Sequence, residues 1–438
     1  MQDKLPFPLK TARGMPNVDR FGLRLRGHGS PRMSGDTLAK RPVLWAFLII
    51  ALGTTVFQKI GFGSAPDGIV PFVIPMALFA TILGLAFARP VFDTGRVALY
   101  FLFVVVSGLT TTLFATNYSI NSFALYAILY LPLVVAFRVS EATYRQCMNA
   151  FSSLMVAAAT ILFAQHLVQL GIGWQYWPNL DQLLPPSLLI PNFNYVQPIV
   201  WGMNFMKPNG IFFLEVSFLS QFIALALGIE LVLFRRWWRV TLFVAAVFAT
   251  FAGTGLLLLL LTVPVLIGRV SIRNMMLATA GFAIIGMLAW WLGWVDLVSH
   301  RFDEFNRTGA SANMRFVEPY NRLVAFASDP HSLYSGIGAG QIEKALNFQW
   351  WPITKAILEY GIIPGLLFYA FFLYTLFNRA PRLRIAYMLA VWFTFEGALL
   401  TAVNPIVCML LSTMFAIEGR SGASKGSGGP VPTRRYRT

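Results

Sequence analysis

The stretch VTLFVAAVFATFAGTGLLLLLLTVPVLI, residues 240–267, decides how this chain is folded. It is apolar almost throughout and is interrupted at Gly253-Thr254-Gly255, so it forms either one long helix or two short ones. Comparable apolar runs recur along the 438 residues, of which 57% are hydrophobic and 12% are charged. Soluble domains carry about 25% charged residues. We therefore expect an all-α, polytopic membrane protein built as a bundle of transmembrane helices.

With residues 240–267 counted as two helices, the sequence predicts about twelve transmembrane helices. The apolar runs lie at about 43–60, 69–88, 97–115, 120–137, 148–172, 211–234, 240–252, 255–268, 275–294, 352–377, 384–401 and 403–417. This number also sets the orientation, because fusing the seventh and eighth runs would move every later segment to the other side of the membrane.

The distribution of basic residues favours two separate helices. With twelve spans and both termini in the cytoplasm, most of the 34 Lys and Arg lie on the cytoplasmic side, as the positive-inside rule requires. The basic residues on the outer face are then Lys59, Lys207, Arg301, Arg307, Arg315, Arg322, Lys344 and Lys355. The net charge of +16 therefore reflects membrane topology, and nucleic acid is excluded as a partner.

The predicted domain organisation is simple. Residues 1–41 and 419–438 are basic and polar, and we expect disordered cytoplasmic tails around a transmembrane domain of residues 42–418. Two long periplasmic loops lie at about 173–210 and 295–351, and the second, partly helical loop precedes the last three spans. The cytoplasmic loops are too short for a nucleotide-binding domain. Kinases and ATP-driven pumps are thereby excluded, and the chemistry is expected on the outer face.

Arginines of the second loop are candidate anion ligands. A helical pattern covers about residues 311–328, with Ser311 as its cap, and Arg315 and Arg322 are then on one face because they are seven residues apart. Two guanidinium groups beside a membrane suit a diphosphate. The alternative is structural: Arg315 pairs with Glu318 in the same helix. Arg301 and Arg307 have the same alternative with nearby Asp303 and Glu304.

The segment SGIGAGQ, residues 335–341, follows the arginines. Its glycines Gly336, Gly338 and Gly340 form either a turn whose N–H groups bind an anion or a tight loop that returns the chain to the membrane. His331 precedes the turn and is either a base or an ordinary loop histidine.

Three carboxylates near or within later spans are further candidates. Glu359 lies four residues after Lys355, so an intrahelical ion pair is the default, but its position near the outer face also makes it a site candidate. Glu396 is expected well inside the eleventh span, facing the interior of the bundle. Glu230, near Arg235 and Arg236, is expected in a solvated ion pair.

Glu215 and Lys207 lie in MKPNGIFFLEVSFLSQF, residues 206–222. The orientation places Glu215 at the outer end of a span, beside the positive end of the helix dipole. Helical angles place Ser217 on the opposite side of that helix, and Pro208-Asn209-Gly210 can fold Lys207 back over the helix start. Glu215 is therefore either a catalytic base or the partner of Lys207.

These motifs resemble the bacterial O-antigen polymerase/ligase superfamily. The resemblance rests on residues 206–222, on SANMR (311–315) followed by SDPHSLYSGIGAG (328–340), and on LEYGIIPG (358–365). It implies a multi-span glycosyltransferase of the bacterial inner membrane that uses undecaprenyl-diphosphate-linked oligosaccharides and needs no nucleotide, metal or cofactor. It matches Lys207, Glu215, Arg315 and the glycines of the turn to the family's motif positions.

The resemblance also implies which residues bind the diphosphate and which one acts as the base. Arg315, with Arg322 and Lys207, would hold the diphosphate, while Glu215, or else His331 or Glu359, would accept the proton of a sugar hydroxyl. A chain-length regulator and a flippase are possible partners of such an enzyme.

Two departures from the family pattern favour a polymerase over an O-antigen ligase. Trp350-Trp351 replace a His-Asn pair before Glu359, and Gly253-Thr254-Gly255 lacks the arginine of a Ser-Arg-Gly motif. We expect a polymerase of exopolysaccharide, capsule or O-antigen repeat units. The alternatives are an O-antigen ligase, a transporter or flippase of lipid-linked oligosaccharide, and a peptidoglycan polymerase.

Overall fold

The computed structural model describes residues 35–64, 68–191, 193, 196–199, 204–267, 287, 313–342 and 351–417. The predicted disorder of residues 1–34 and 419–438 lies outside the described residues, as do the predicted span 275–294, Met287 apart, and Arg301, Arg307 and Ser311. The first helix already begins at Gly35, before the expected tail boundary at residue 41.

The described residues are mostly helical, in agreement with the predicted class. The helices are α1 (Gly35–Thr55), α2 (Val73–Phe87), α3 (Thr94–Phe114), α4 (Ile120–Tyr130), α5 (Glu141–Gly171), α6 (Leu180–Leu183), α7 (Val216–Ile229), α8 (Trp237–Ala249), α9 (Gly253–Ile267), α10 (Glu318–Ala327), α11 (Pro330–Ser335), α12 (Pro352–Tyr360), α13 (Ile362–Phe377), α14 (Leu383–Glu396) and α15 (Val403–Cys408). Short 3₁₀ turns cover Leu131–Val134, Trp174–Tyr176 and Pro186–Leu188, and π turns cover Glu230–Phe234, Asn313–Val317 and Met409–Thr413.

Within the described residues, three helical segments are long and apolar enough to cross a membrane: Thr94–Phe114, Glu141–Gly171 and Val216–Phe234. Shorter apolar segments are Arg41–Thr55, Val73–Phe87, Ile120–Val134, Trp237–Ala249, Gly253–Leu266, Ile362–Phe377 and Val403–Thr413. By length and composition these helices suggest a membrane protein, and the number of twelve spans stays a prediction.

The apolar stretch 240–267 forms two separate helices, as predicted. The break falls at Thr250–Ala252, just before the glycines, where the Thr250 hydroxyl donates to Val247 O and accepts from Ala252 N at 3.2 Å. Gly255 serves close packing of α9 on α7, because a Cβ there would lie 2.2 Å from the Ser220 hydroxyl oxygen. A small residue is therefore required where α7 and α9 meet.

One end of the bundle, here called the basic end, gathers arginines around a small sheet. Strand β4 (Val135–Val139) pairs antiparallel with β3 (Pro90–Phe92) and parallel with β5 (Phe415–Ile417). Arg96 of α3 donates to Thr413 O at 2.9 Å and to Asn378 O at 3.0 Å, which joins the ends of three helical segments. The other basic residues here include Arg145, Arg236, Arg239, Arg379 and Arg382.

The other end, here called the loop end, carries the connections between the opposite helix termini. A hairpin of β1 (Gly61–Ser64) and β2 (Gly68–Pro71) lies there, and the Ile190 N–H donates to Lys59 O at 3.0 Å. Helix α3 runs from Arg96 at the basic end to Phe114, near which the Ser119 N–H donates to Ala339 O at 2.8 Å. The described residues of 173–210 and residues 313–342 belong to this end.

Two carboxylates differ from their expected environments. Glu230 is fully buried rather than solvated, because Ser152, Arg236 and Arg239 surround it. The Ser152 hydroxyl donates to Glu230 Oε1 at 2.5 Å, and Arg236 Nε donates to Oε2 at 3.0 Å. Glu396 is buried, as predicted, but it is the last residue of α14, because Gly397 ends the helix.

Candidate functional site

The Lys207–Ile211 turn precedes Glu215 and has an unusual backbone. Asn209 Oδ1 accepts from the Ile211 N–H at 3.1 Å, and the two residues that follow Asn209 both have positive φ, 66° at Gly210 and 67° at Ile211. A β-branched residue rarely adopts this conformation, and the strain must be held by the surrounding structure. Strain of this kind often accompanies functional sites.

Three buried glutamines, two from α5 and one from the turn after α1, hold this segment in place. Gln165 Oε1 of α5 accepts from the Gly210 N–H at 3.2 Å, and Gln58 Oε1, just after α1, accepts from the Leu214 N–H at 2.9 Å. Gln169 accepts from the Met206 N–H at 2.7 Å and donates to Met206 O at 3.0 Å. Sequence reasoning missed these glutamines, although amide side chains at the ends of apolar runs were a visible signal.

Glu215 lies at the N-cap position of α7 rather than within a helix. Its backbone is extended, with φ −146° and ψ 165°, and its side chain makes no capping hydrogen bond to the helix. The Ser217 hydroxyl instead donates to Glu215 Oε2 at 3.0 Å, although helical angles had placed Ser217 opposite. That prediction was wrong because the helix starts only at Val216. The half-buried carboxylate lies at the positive end of the α7 dipole.

Lys207 lines a cavity of about 80 Å³ at the loop end. Its backbone N–H donates to Gln197 O at 2.7 Å, and this hydrogen bond fixes the position of the Lys207 backbone. The neighbouring part of the loop is held by a second lysine, Lys59, whose ammonium group pairs with Asp181 of α6. The cavity wall therefore combines α5 with several segments of the loop 173–210.

The Gly336–Gly340 turn is a packing element. The Gly336 N–H donates to Ser332 O at 2.8 Å, and the Gly338 N–H donates to Glu359 O at 2.9 Å. These amide groups are therefore engaged within the protein and do not form the anion cradle considered from the sequence. Gly338 has φ 102°, and a Cβ there would lie 2.1 Å from Asn117 O, so the turn fits closely between α12 and the α3–α4 connection. Gly340 has φ 69° and contacts Ser122 of α4.

Lys355 and Glu359 form the i,i+4 ion pair that their spacing predicted. Lys355 Nζ lies 3.8 Å from Glu359 Oε1, and both side chains are buried. Next to Glu359, Tyr360 stacks on Tyr126 of α4 with ring centroids 4.7 Å apart. Full burial removes Glu359 from direct contact with a bulky substrate and favours the structural role for it.

The structure does not place the two arginines of the second loop, Arg315 and Arg322, in one continuous α-helix. Arg315 lies in the π turn Asn313–Val317, so the shared face with Arg322, which assumed one continuous α-helix, does not follow. Its side chain lies outside the described residues. Arg322 is half exposed, and its Nε lies 3.8 Å from Glu318 Oε2. The structure therefore pairs Glu318 with Arg322.

His331 is exposed in the first turn of α11. Asp329 caps this helix by accepting from the His331 N–H at 3.2 Å and from the Ser332 N–H at 3.3 Å. The Ser332 hydroxyl also donates to Asp329 at 2.5 Å and holds the pKa of that carboxyl below its usual value. The structure thus keeps His331 accessible beside an ionised aspartate.

The candidate residues form two groups. Lys207 and Glu215 share one segment tied to α5 and to the residues after α1, while Gly336, Gly338 and Glu359 share a second, closely packed one. Among the described residues no group of three or more His, Cys, Asp or Glu could hold a metal ion.

Comparisons with family models, with curated proteins and with solved structures each find no match to this chain.

Proposed function

We propose that this protein is a multi-pass glycosyltransferase of the bacterial inner membrane that polymerises undecaprenyl-diphosphate-linked oligosaccharide repeat units at the periplasmic face. The observation that carries the proposal is Glu215, a half-buried carboxylate at the N-terminus of α7, hydrogen-bonded to Ser217 and preceded by a rigidly held turn with Lys207. A positioned carboxylate and a lysine in one segment suit transfer from a diphosphate leaving group.

The distribution of charge supports the proposed topology. Arginines collect at the basic end, which would face the cytoplasm, with both termini there and about twelve spans in all. The loop end, which would face the periplasm, carries Glu215, Lys207, His331 and Arg322. The Gly336–Gly340 turn ties the second loop to the helices, so both groups of candidate residues would face one compartment.

The proposed reaction needs a base and charge stabilisation. A sugar hydroxyl of one repeat unit attacks the anomeric carbon of the growing chain, a glycosidic bond forms, and the bond to the diphosphate oxygen breaks. Glu215 accepts the hydroxyl proton, and the undecaprenyl diphosphate leaves with its electron pair. Lys207, and on the sequence resemblance Arg315 with Arg322, would stabilise the departing negative charge.

The test is extension of lipid-linked repeat units by the purified protein without ATP. General-base catalysis contributes roughly 10²–10⁴-fold, so Glu215→Gln should lower kcat by at least about a hundredfold. The matched control is Glu141→Gln, which changes a partly exposed carboxylate at the basic end. Wild-type kcat in a folded Glu215→Gln variant would remove Glu215 from the chemistry, and failure of the wild type to extend its substrate would reject the polymerase.

A transporter of lipid-linked oligosaccharide is the second candidate, because Glu396 is buried, and a buried carboxylate in a membrane protein can mark a substrate or ion pathway. Reconstituted vesicles separate the two functions. A transporter moves the lipid-linked unit across the bilayer without lengthening the glycan, whereas the polymerase lengthens it. A single transfer to lipid A core would instead identify a ligase.

A further inference from the structure

The cavity beside Lys207 has a lining unlike that of a lipid-facing groove. Two indoles, Trp174 and Trp177, face amide side chains that include Gln165, Gln169 and Asn209. Within the described lining there is one ammonium group, that of Lys207, and no carboxylate. An aromatic surface surrounded by amides, with little charge, suits a ligand that has both an apolar face and many hydroxyl groups.

The polar wall of the cavity is built before any ligand arrives. Gln165, Gln169 and Asn209 are 6%, 8% and 1% exposed, and hydrogen bonds to the backbone of the 206–211 segment fix all three. The Gln165 and Gln169 amides each carry two N–H donors and a carbonyl acceptor, and their bonds to the backbone use only part of this capacity. A preorganised wall lowers the entropy that ordering side chains costs on binding.

Trp177 supplies a second, independent observation. Its indole Nε1 is buried and has no hydrogen-bond partner within the part of the chain that the structure describes. A buried donor without an acceptor costs free energy, and buried tryptophan N–H groups usually find a partner. Nε1 is covered in the unliganded protein, so a sugar hydroxyl would reach this donor when binding shifts the side chains that line the cavity.

We propose that this cavity binds pyranose rings of the oligosaccharide substrate, with Trp174 and Trp177 against the apolar faces of the sugars and the amides against their hydroxyls. The proposal rests on the proposed function and deepens it, because the Lys207–Ile211 turn leads from the cavity wall to Glu215.

Binding to the full-length protein in detergent tests the proposal directly. The probe is a neutral oligosaccharide fragment prepared by partial acid hydrolysis of the host's own surface polysaccharide, titrated by calorimetry. We expect Trp177→Ala to raise Kd about tenfold or more, a loss of roughly 1.4 kcal/mol. Trp177→Phe, which keeps an aromatic ring but removes the N–H donor, should raise Kd severalfold. The matched control is Trp238→Phe, an exposed indole at the basic end, with unchanged Kd.

Two results would overturn the proposal: a wild-type protein that does not bind the fragment, and a folded Trp177→Ala variant that binds it as the wild type does. Activity assays keep this failure distinct from that of the polymerase. A wild type that binds the fragment in a Trp177-dependent way but does not extend lipid-linked units supports the cavity and rejects the polymerase. A wild type that extends them, with an unchanged KM in Trp177→Ala, rejects the cavity alone.

Discussion

Gln165 of α5 accepts a hydrogen bond from the backbone N–H of Gly210 at 3.2 Å, across 45 residues of sequence. Replacing it by Leu keeps the volume but leaves the buried N–H unsatisfied, which should lower the free energy of unfolding by about 1–3 kcal/mol. Thermal unfolding in detergent measures the change. Gln165→Glu retains an acceptor and should recover part of the loss, whereas Thr160→Val, on the exposed face of the same helix, should change little.

Gly338→Ala should prevent normal packing of the second loop. The residue has φ 102°, and the added Cβ would lie 2.1 Å from Asn117 O, where backbone must move. Holding a non-glycine residue in such a conformation alone costs about 1–3 kcal/mol. We expect a lower unfolding temperature and loss of monodisperse protein by size-exclusion chromatography. Gly171→Ala is the matched control, because a Cβ there meets nothing within 4 Å; equal behaviour of the two variants would contradict the packing role.

The buried ion pair of Glu230 should be far more sensitive than an exposed one. Glu230→Gln leaves Arg236 and Arg239 without their buried counter-charge, and breaking such a pair typically costs 3–5 kcal/mol. Glu141→Gln, which breaks a partly exposed pair with Arg382, should cost at most about 1 kcal/mol. Denaturant unfolding of both variants measures the contrast. Similar losses would mean that burial does not govern the strength of these pairs.

Asp93 should make the stability depend on acid pH. Burial raises its pKa, but hydrogen bonds from the Arg96 N–H, Tyr374 and Asn378, with the charge of Arg379, outweigh this and hold the pKa below its usual 3.8. A depressed carboxyl pKa stabilises the folded state above the unfolded pKa, and this contribution is lost as the pH falls through the folded pKa. Asp93→Asn keeps a helix cap but removes the charge.

The Asp93→Asn variant should therefore be less stable than the wild type at neutral pH, and the difference should shrink as the pH falls below 3.8. Thermal unfolding of both proteins from pH 7 to pH 3 measures it. A difference that stays constant across this range would show that the charge of Asp93 does not contribute.

Local spacing and hydropathy predicted the features that depend on one helix or one short segment. The two helices of residues 240–267 and the Lys355–Glu359 pair follow from periodicity, and the structure confirms both. The start of α7 at Val216 did not follow, because the strained turn before it depends on Gln58 and Gln165, which are distant in sequence.

The role of the glycine turn also could not be read from its spacing. Gly336 and Gly338 look the same in sequence whether their amide groups face an anion or another backbone segment. The choice is made by Asn117 and Glu359, which only the tertiary fold brings to the turn. The burial of Glu230 also could not be predicted from the local sequence, because Ser152, which donates a hydrogen bond to it, lies in another helix.

The hydrogen bonds at Gly338 and Ala339 limit the movement of the second loop. Backbone hydrogen bonds tie Gly338 to α12 and Ala339 to Ser119, so this point cannot shift without loosening the helices themselves. Leu323 and Phe326 of α10 also pack against Leu358 of α12. The second loop is therefore anchored to the bundle at two places, and cross-linking residue 339 to residue 119 should change its position little.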